Sequence, residues 1–288
     1  MSPDARSVWG FDAIGTVWEI ETPQALPPAA RSAVTACIAS FDAEWSRFRP
    51  DSVVSRLAGG GAAPAPADAG AMLGLYADLA DATHGAVNPL VGDALARRGY
   101  DPVYSFADHG PAAAPAAWRG ILTWSADELA LSEPAVLDVG ALGKGRLVDL
   151  VVAALAPWAA DDLVVDAGGD LAVRGPARRI GLEHPYDPRR AIGVVEVTDA
   201  ALCASATNRR AWGDGLHHVL DARTGEPVRT IAATWAIAPT AMRADAVATA
   251  LFFDGGPRLA HEWGVDWVRM TTDGRVEWSP GSKAELFT

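Results

Sequence analysis

Apolar and polar residues along this chain follow two periods, and their order lays out the elements. Alternation over residues 14–21 (IGTVWEIE) predicts a strand, because successive strand side chains point to opposite faces. A Pro-rich turn at 23–28 leads into AARSAVTACIASFDAEWSRF, whose apolar positions recur at helical spacing and predict a helix ending near Arg49-Pro50. The stretch 59–71, GGGAAPAPADAGA, is too poor in large apolar groups to be core and is predicted to be an exposed loop. A second helix follows through LGLYADLADATHG, and an Ala/Pro spacer occupies 112–118.

Short β-type runs then dominate: GILTWSA, ELALSE, AVLDVG, LVVDAG, DLAVRG, RRIGLEH and AIGVVEVT. One helix, residues 143–158, interrupts them. HHVLDA and TWAIAPT read as further strands, residues 239–255 as an apolar helix, and VDWVRMTTDGRVEWS as a hairpin across Asp273-Gly274. Strands with interspersed helices, no internal repeat and no clear linker predict an α+β fold in a single domain over residues 1–288, with a core of about 10–280.

Composition narrows the class. With 288 residues, half of them apolar, the chain can bury a core without staples, as one domain or as two lobes closing on a cleft. Its two cysteines, Cys37 and Cys203, lie far apart and outside any zinc spacing, so no metal knuckle or disulfide framework is indicated. A net charge of -12 argues against a nucleic-acid partner or an anionic membrane surface. Arg178-Arg179, Arg189-Arg190 and Arg209-Arg210 read as solvated surface pairs rather than phosphate sites. The start, MSPDARSVWGF, has no basic segment followed by an apolar run, and no stretch is apolar enough to span a membrane. The expectation is a cytoplasmic protein as given, or an exported one if the natural N-terminus is longer.

Four segments carry candidate chemistry. In the 239–255 helix, Asp245 and Thr249 stand one turn apart, which puts two hard oxygen donors on one face for a small divalent cation; the structural alternative is an early-helix acid beside a packed threonine. The junction DVGALGKG (138–145) brings three glycines and Lys144 to a helix N-terminus, where free N–H groups suit phosphate oxygens, or where glycines simply allow close packing. Asp138, at the end of an apolar run, needs a partner: a ligand amide or ring nitrogen, or its own glycine loop through an Asx turn. HHVLDARTG holds His218 as a base near neutral pH and Arg223 for a phosphate or for Asp221, although such an Asp-Arg pair also closes hairpins. Gly168-Gly169, edged by Asp166 and Asp170, make either a close ligand approach or a plain turn.

Taken in order, DVGALGKG, VDAGGD, CASATNRR, HHVLDARTGEP and APTAMRADAVATALF resemble the ApbE-type flavin transferase family, the FAD:protein FMN transferases. AIGT near the start, SRFRPDSVVSRL and GAVNPLVGDALARRGYDP agree, so the likeness runs from about residue 14 to about residue 255. The resemblance implies an α+β fold in two lobes around a flavin cleft, with FAD as substrate and Mg2+ at its diphosphate. Carried over by motif, the metal ligands are the main-chain oxygen of Ala141 with Asp245 and Thr249. The FAD contacts are Ile14, Phe48, Gly99, Tyr100, Asp138 and Lys144, with His218 beside the diphosphate.

The implied reaction transfers FMN from FAD to a threonine hydroxyl of an acceptor protein and releases AMP, with His218 taking the proton and Lys144 adding positive charge. An FAD diphosphatase with the same site, or a non-catalytic FAD-binding protein, are the rival readings. Two local departures stand out. Ser205-Ala206-Thr207-Asn208 replaces the usual Ser-Gly pair and polar-aromatic turn, and Gly143 precedes Lys144 where alanine is common. Many members are exported lipoproteins, and this chain shows neither a signal sequence nor an acylated cysteine.

Overall fold

The computed structural model describes residues 6–287. The expectation for the chain start therefore falls in part on residues 1–5, outside the described residues. From Ser7 onward the chain is already a strand: β1 (Ser7–Ala13) pairs antiparallel with β2 (Thr16–Thr22). The strand expected over 14–21 thus begins two residues later, and Ile14 sits in the hairpin turn at φ 44°.

α1 (Pro28–Trp45) follows, with Ala30, Val34, Ile38, Phe41 and Trp45 as one buried stripe at helical spacing. Burying each of the large aliphatic and aromatic members stabilises the packing by about 1.5–3 kcal/mol. The next group is α2 (Val53–Leu57), β3 (Gly61–Pro64), α3 (Ala69–Ala82), α4 (Gly92–Arg97), α5 (Trp118–Ile121), β4 (Leu122–Trp124) and β5 (Glu128–Leu131). β3, β5 and β4 form a small sheet in that order.

α6 (Gly143–Ala159) leads into β6 (Leu163–Asp166), β7 (Asp170–Arg174), β8 (Arg178–His184), β9 (Asp187–Val197) and β10 (Ala201–Ala206). Four two-residue strands come next: β11 (Ala211–Trp212), β12 (Leu216–His217), β13 (Leu220–Asp221) and β14 (Glu226–Pro227). The chain closes with β15 (Ile231–Ala238), α7 (Ala241–Ala250), α8 (Gly256–Glu262), β16 (Asp266–Thr271), β17 (Val276–Trp278) and β18 (Glu285–Leu286).

The main sheet has eight strands in the order β1-β2-β6-β7-β10-β15-β16-β17, all neighbours antiparallel. One face, with Trp18, Ile20, Val165, Ala172 and Cys203, packs on α1, α6 and α7. The other face, with Val164, Val173, Leu202 and Trp235, packs on Leu182, Ile192 and Val195 of the small β18-β9-β8 sheet. Val164 and Val165 point into different cores because strand side chains alternate. A third apolar cluster, Leu95, Tyr100, Trp212, Leu216 and Leu220, joins α4 to the short strands. The architecture is α+β, as the sequence predicts.

Several local expectations are corrected. AVLDVG joins no sheet: the N–H groups of Ala135, Val136 and Asp138 donate to Ala58 O (3.1 Å), Asp93 Oδ2 (2.9 Å) and Pro89 O (2.8 Å), so two main-chain carbonyls outside any strand and a carboxylate of α4 take the place of a ladder. The 59–71 stretch is not simply an exposed loop. Part of it pairs with β5, and its Asp68 is buried, accepting from Trp45 Nε1 and Arg146 Nε at 3.1 Å each. HHVLDA splits into two short bridges around His218, and the first helix stops at Trp45 rather than at Arg49. Both cysteines are free thiols. Among the described residues no helix is long and apolar enough to cross a membrane.

Candidate active site

α6 and α7 cross where Gly145 faces α7, and this contact builds the floor of a cavity of about 1080 Å3. A Cβ on Gly145 would lie 2.2 Å from Ala241 O and 2.7 Å from Asp245 Cβ, so glycine is what lets the two helices meet. Gly145 N–H in turn donates to Asp245 Oδ2 at 2.9 Å. One turn on, Thr249 Oγ1 donates to Ala141 O at 3.1 Å. The three oxygen-bearing groups expected to share a cation therefore converge on one wall. Asp245 is only 2% exposed.

The turn before α6 is held from below. Tyr76, on α3 and buried, donates its hydroxyl to Asp138 O at 3.0 Å and accepts from Ala141 N at 3.2 Å. Asp138 is already engaged: Oδ1 accepts Gly140 N at 2.7 Å in an Asx turn, and Oδ2 takes Arg47 Nε at 2.5 Å. The backbone of this turn is not a set of free donors. Gly140, Ala141, Gly143 and Gly145 all spend their N–H groups inside the protein, the Gly143 N–H on Val139 O at 2.8 Å. The expected main-chain phosphate cradle is absent at these positions, and side chains supply the positive charge instead.

Lys144 and Arg210 are those side chains. Lys144 pairs with the fully buried Asp170; burial works against its ammonium, but Asp170 and Asp245 outweigh that and its pKa is raised. Arg210 lines the same cavity, with its guanidinium 6.0 Å from the Tyr100 ring, and has no carboxylate partner among the described residues. Reading Arg209-Arg210 as a solvated surface pair is thus corrected: both residues line the cavity, Arg209 also pairing with Glu183 at 3.0 Å while Arg210 has no such partner.

The other end of the cavity is aromatic. Phe48 and Tyr104 stack at 5.3 Å and 6°, and Tyr100 and Trp212 at 5.5 Å and 18°. Arg47 lies 4.2 Å from the Phe48 ring centre, and its Nη2 is buried with no partner. Ile14, at the hairpin turn, also lines the cavity; a β-branched residue at positive φ is unusual and costs of order 1–3 kcal/mol, a strain that often marks functional sites.

Of the residues singled out in the sequence, Ile14, Phe48, Tyr100, Asp138, Ala141, Lys144, His218, Asp245 and Thr249 all line this one cavity. Gly99 does not. A Cβ there would lie 2.5 Å from Phe106 C, so Gly99 is taken up in packing the 101–110 loop. Arg223 stays outside, closing a turn with Asp221 at 2.5 Å. Sequence reasoning passed over Arg47, Tyr76 and Trp212, and read Arg210 as surface. Arg47 and Arg210 carried a signal, as arginines inside SRFRP and CASATNRR.

His218 does not titrate near neutrality here. Burial first, then Arg210, His217 and Lys144, push its pKa down to about 3, and its Nδ1 is buried without a partner. Asp245 is shifted the other way, to about 7, by burial and by Asp170, against the pull of Lys144 and the Gly145 N–H. A carboxylate so placed favours any positive charge brought beside it.

The ApbE family model matches residues 14–267. This chain belongs to the ApbE family. It is 29% identical to the FAD:protein FMN transferase of Rhodobacter capsulatus over 99% of this chain and 59% of that protein. To the enzyme of the same name from Treponema pallidum it is 34% identical, over 50% of this chain and 46% of the relative. The chain thus spans about half to three-fifths of the length of these relatives. In fold it is similar to the ApbE protein of Thermotoga maritima, with a TM-score of 0.82, 20% identity and 96% and 97% of the two chains covered. It is likewise similar to the flavin transferase ApbE of Vibrio cholerae, with a TM-score of 0.79, 22% identity and 96% and 97% covered.

Proposed function

We propose that this ApbE-family protein transfers FMN from FAD to a threonine hydroxyl of an acceptor protein, releasing AMP. The observation that carries the reading is one cavity lined by stacked aromatic rings, cationic side chains and three hard oxygen donors. That is the complement of a dinucleotide whose flat rings flank a diphosphate. Its volume stands just above the usual range for small-molecule sites.

In the transfer, the threonine oxygen attacks the phosphorus of the FMN half, the bridging P–O bond breaks, and its electron pair leaves on the phosphate of AMP. Lys144 and Arg210 face the charge that gathers on those oxygens. The aromatic end holds the ring system and so fixes which phosphorus meets the acceptor. His218, neutral in the ligand-free protein, is free to accept the hydroxyl proton, and a diphosphate placed beside it opposes the cations that depress its pKa.

The residues also fit Mg2+. Ala141 O, Asp245 and Thr249 are oxygen donors with a single carboxylate, a set suited to a hard ion that keeps waters and takes substrate oxygens as further ligands. When bound, Mg2+ would withdraw charge from the diphosphate and make AMP a better leaving group.

The test follows AMP release from FAD with Mg2+, with and without a threonine-bearing acceptor, together with the acceptor's mass. AMP that depends on the acceptor, with an added FMN mass, supports transfer. AMP without an acceptor makes the protein a diphosphatase, and FAD binding with no AMP under either condition overturns catalysis.

A further inference from the structure

Asp170 opens β7 directly after the Gly168-Gly169 turn and is 0% exposed. Its register opposite Cys203 of β10 places it on the sheet face covered by α6 and α7. One carboxylate oxygen takes the Lys144 ammonium, while the other, Oδ1, is buried with no hydrogen-bond partner among the described residues. A buried carboxylate with an idle oxygen carries a desolvation cost that an apolar residue of similar size would avoid. Packing therefore accounts for the volume at position 170 and leaves its charge without an explanation.

The charges around it supply one. Lys144 projects from α6 and Asp245 from α7, on either side of the Gly145 contact, and both line the cavity. Yet Lys144 makes no ion pair with Asp245; its partner is Asp170. One ammonium thus has two buried carboxylates near it and is held by the one that does not line the cavity. With Asp170 present the Lys144–Asp170 pair is neutral and Asp245 is left without an ammonium partner. Without it, the carboxylate near Lys144 among the described residues is Asp245, and a bound cation would face an ammonium.

We propose that Asp170 is a positioning residue that holds and neutralises Lys144, so that Asp245 stays free to take a divalent cation. This rests on the cation reading of Ala141, Asp245 and Thr249 given above. It makes Asp170 act through Lys144, and that is what the test isolates.

Mn2+ binding by the FAD-free protein, followed by the electron paramagnetic resonance of free Mn2+, is compared in wild type, Asp170→Asn, Lys144→Met and the double variant. Circular dichroism checks that each is folded. Asp170→Asn leaves a net positive charge beside Asp245 and weakens Mn2+ about tenfold or more; Lys144→Met leaves a net negative one and tightens it by a similar factor. The double variant restores the charge balance and returns to within a few-fold of wild type. A double variant as weak as Asp170→Asn means that Asp170 acts by packing alone and overturns the proposal. Should Asp170→Asn not fold, Lys144→Met decides: no tightening overturns the proposal. A wild-type protein that binds no Mn2+ removes the cation reading itself, a failure distinct from the others.

Discussion

At the scale of single residues, the site is built from groups whose behaviour is set by burial. Asp245 accepts the Gly145 N–H and lies beneath the surface, so replacing it by alanine removes an acceptor as well as a charge. Asp245→Asn separates the two effects. Its side-chain oxygen can still accept from Gly145, so the thermal midpoint at pH 8 without divalent cations should match or exceed wild type, while the stabilisation by added Mg2+ disappears. Turnover should fall about 10²-fold or more, checked by AMP release.

His218 gives a pH dependence with a definite sign. Its folded-state pKa of about 3 lies below the ordinary 6.5, so as the pH drops the unfolded chain takes up this proton first. The contribution of His218 to stability is whole above about 6.5 and is lost progressively toward about 3. Urea titrations from pH 7 to pH 4.5 should show a shallower loss in His218→Asn than in wild type, and an identical slope would contradict the burial argument. His218, Lys144, Asp245 and Thr249, all marked in the sequence, line one cavity. The sequence could not report that His218 is held neutral, because the depression comes first from burial and then from Arg210, His217 and Lys144, and packing decides burial.

At the scale of elements, the crossing of α6 and α7 is the part of the fold on which the chemistry depends. Asp149 of α6 accepts from Ala241 N (2.8 Å) and Met242 N (2.9 Å), capping α7, while Gly145 allows the close approach. Gly145→Ala should push the helices apart and destabilise the protein by about 1–3 kcal/mol in chemical denaturation, with loss of Mg2+ response even where the chain remains folded. Both helices were legible in the sequence, although the second, expected over 239–255, runs only from Ala241 to Ala250 and is capped by Thr240, whose side chain accepts from Arg243 N. The 135–140 segment was not. Its alternation of Leu137 and Val139 with Asp138 is a strand pattern, but strand status needs a neighbour to pair with, and here Ala58, Pro89 and Asp93 supply the partners. β1 was missed for the opposite reason: as an edge strand with Val8 exposed, it lacks a clean apolar face.

At the scale of the whole molecule, an acidic chain carries a locally cationic cavity. A net charge of -12 is spread over the surface, while Lys144, Arg210 and Arg47 face inward. The cavity wall draws on the β1-β2 turn, α1, α3, the 138–144 turn, the end of β10, the short strands and α7, so ligand binding ties distant parts of the chain together. FAD with Mg2+ should therefore raise the melting temperature of the whole protein in a single transition, by about 2.7 kcal/mol of added stability at a hundredfold excess over Kd. A shift confined to one of two separate transitions would show that the lobes unfold independently.

What the sequence by itself determined is the class of fold, the main helices and most central strands, and a set of motifs whose order identified the family. Those properties are local: periodicity, turn residues and short spacings are written in neighbouring positions. Only the tertiary structure decided which charges meet. Arg47 reaches Asp138, Lys144 reaches Asp170, Arg209 reaches Glu183 while Arg210 lines the cavity without a carboxylate partner among the described residues, and the glycine junction spends its N–H groups within the protein. Partner choice and burial set the energy of a charge, and both are fixed by residues far apart along the chain that packing brings together.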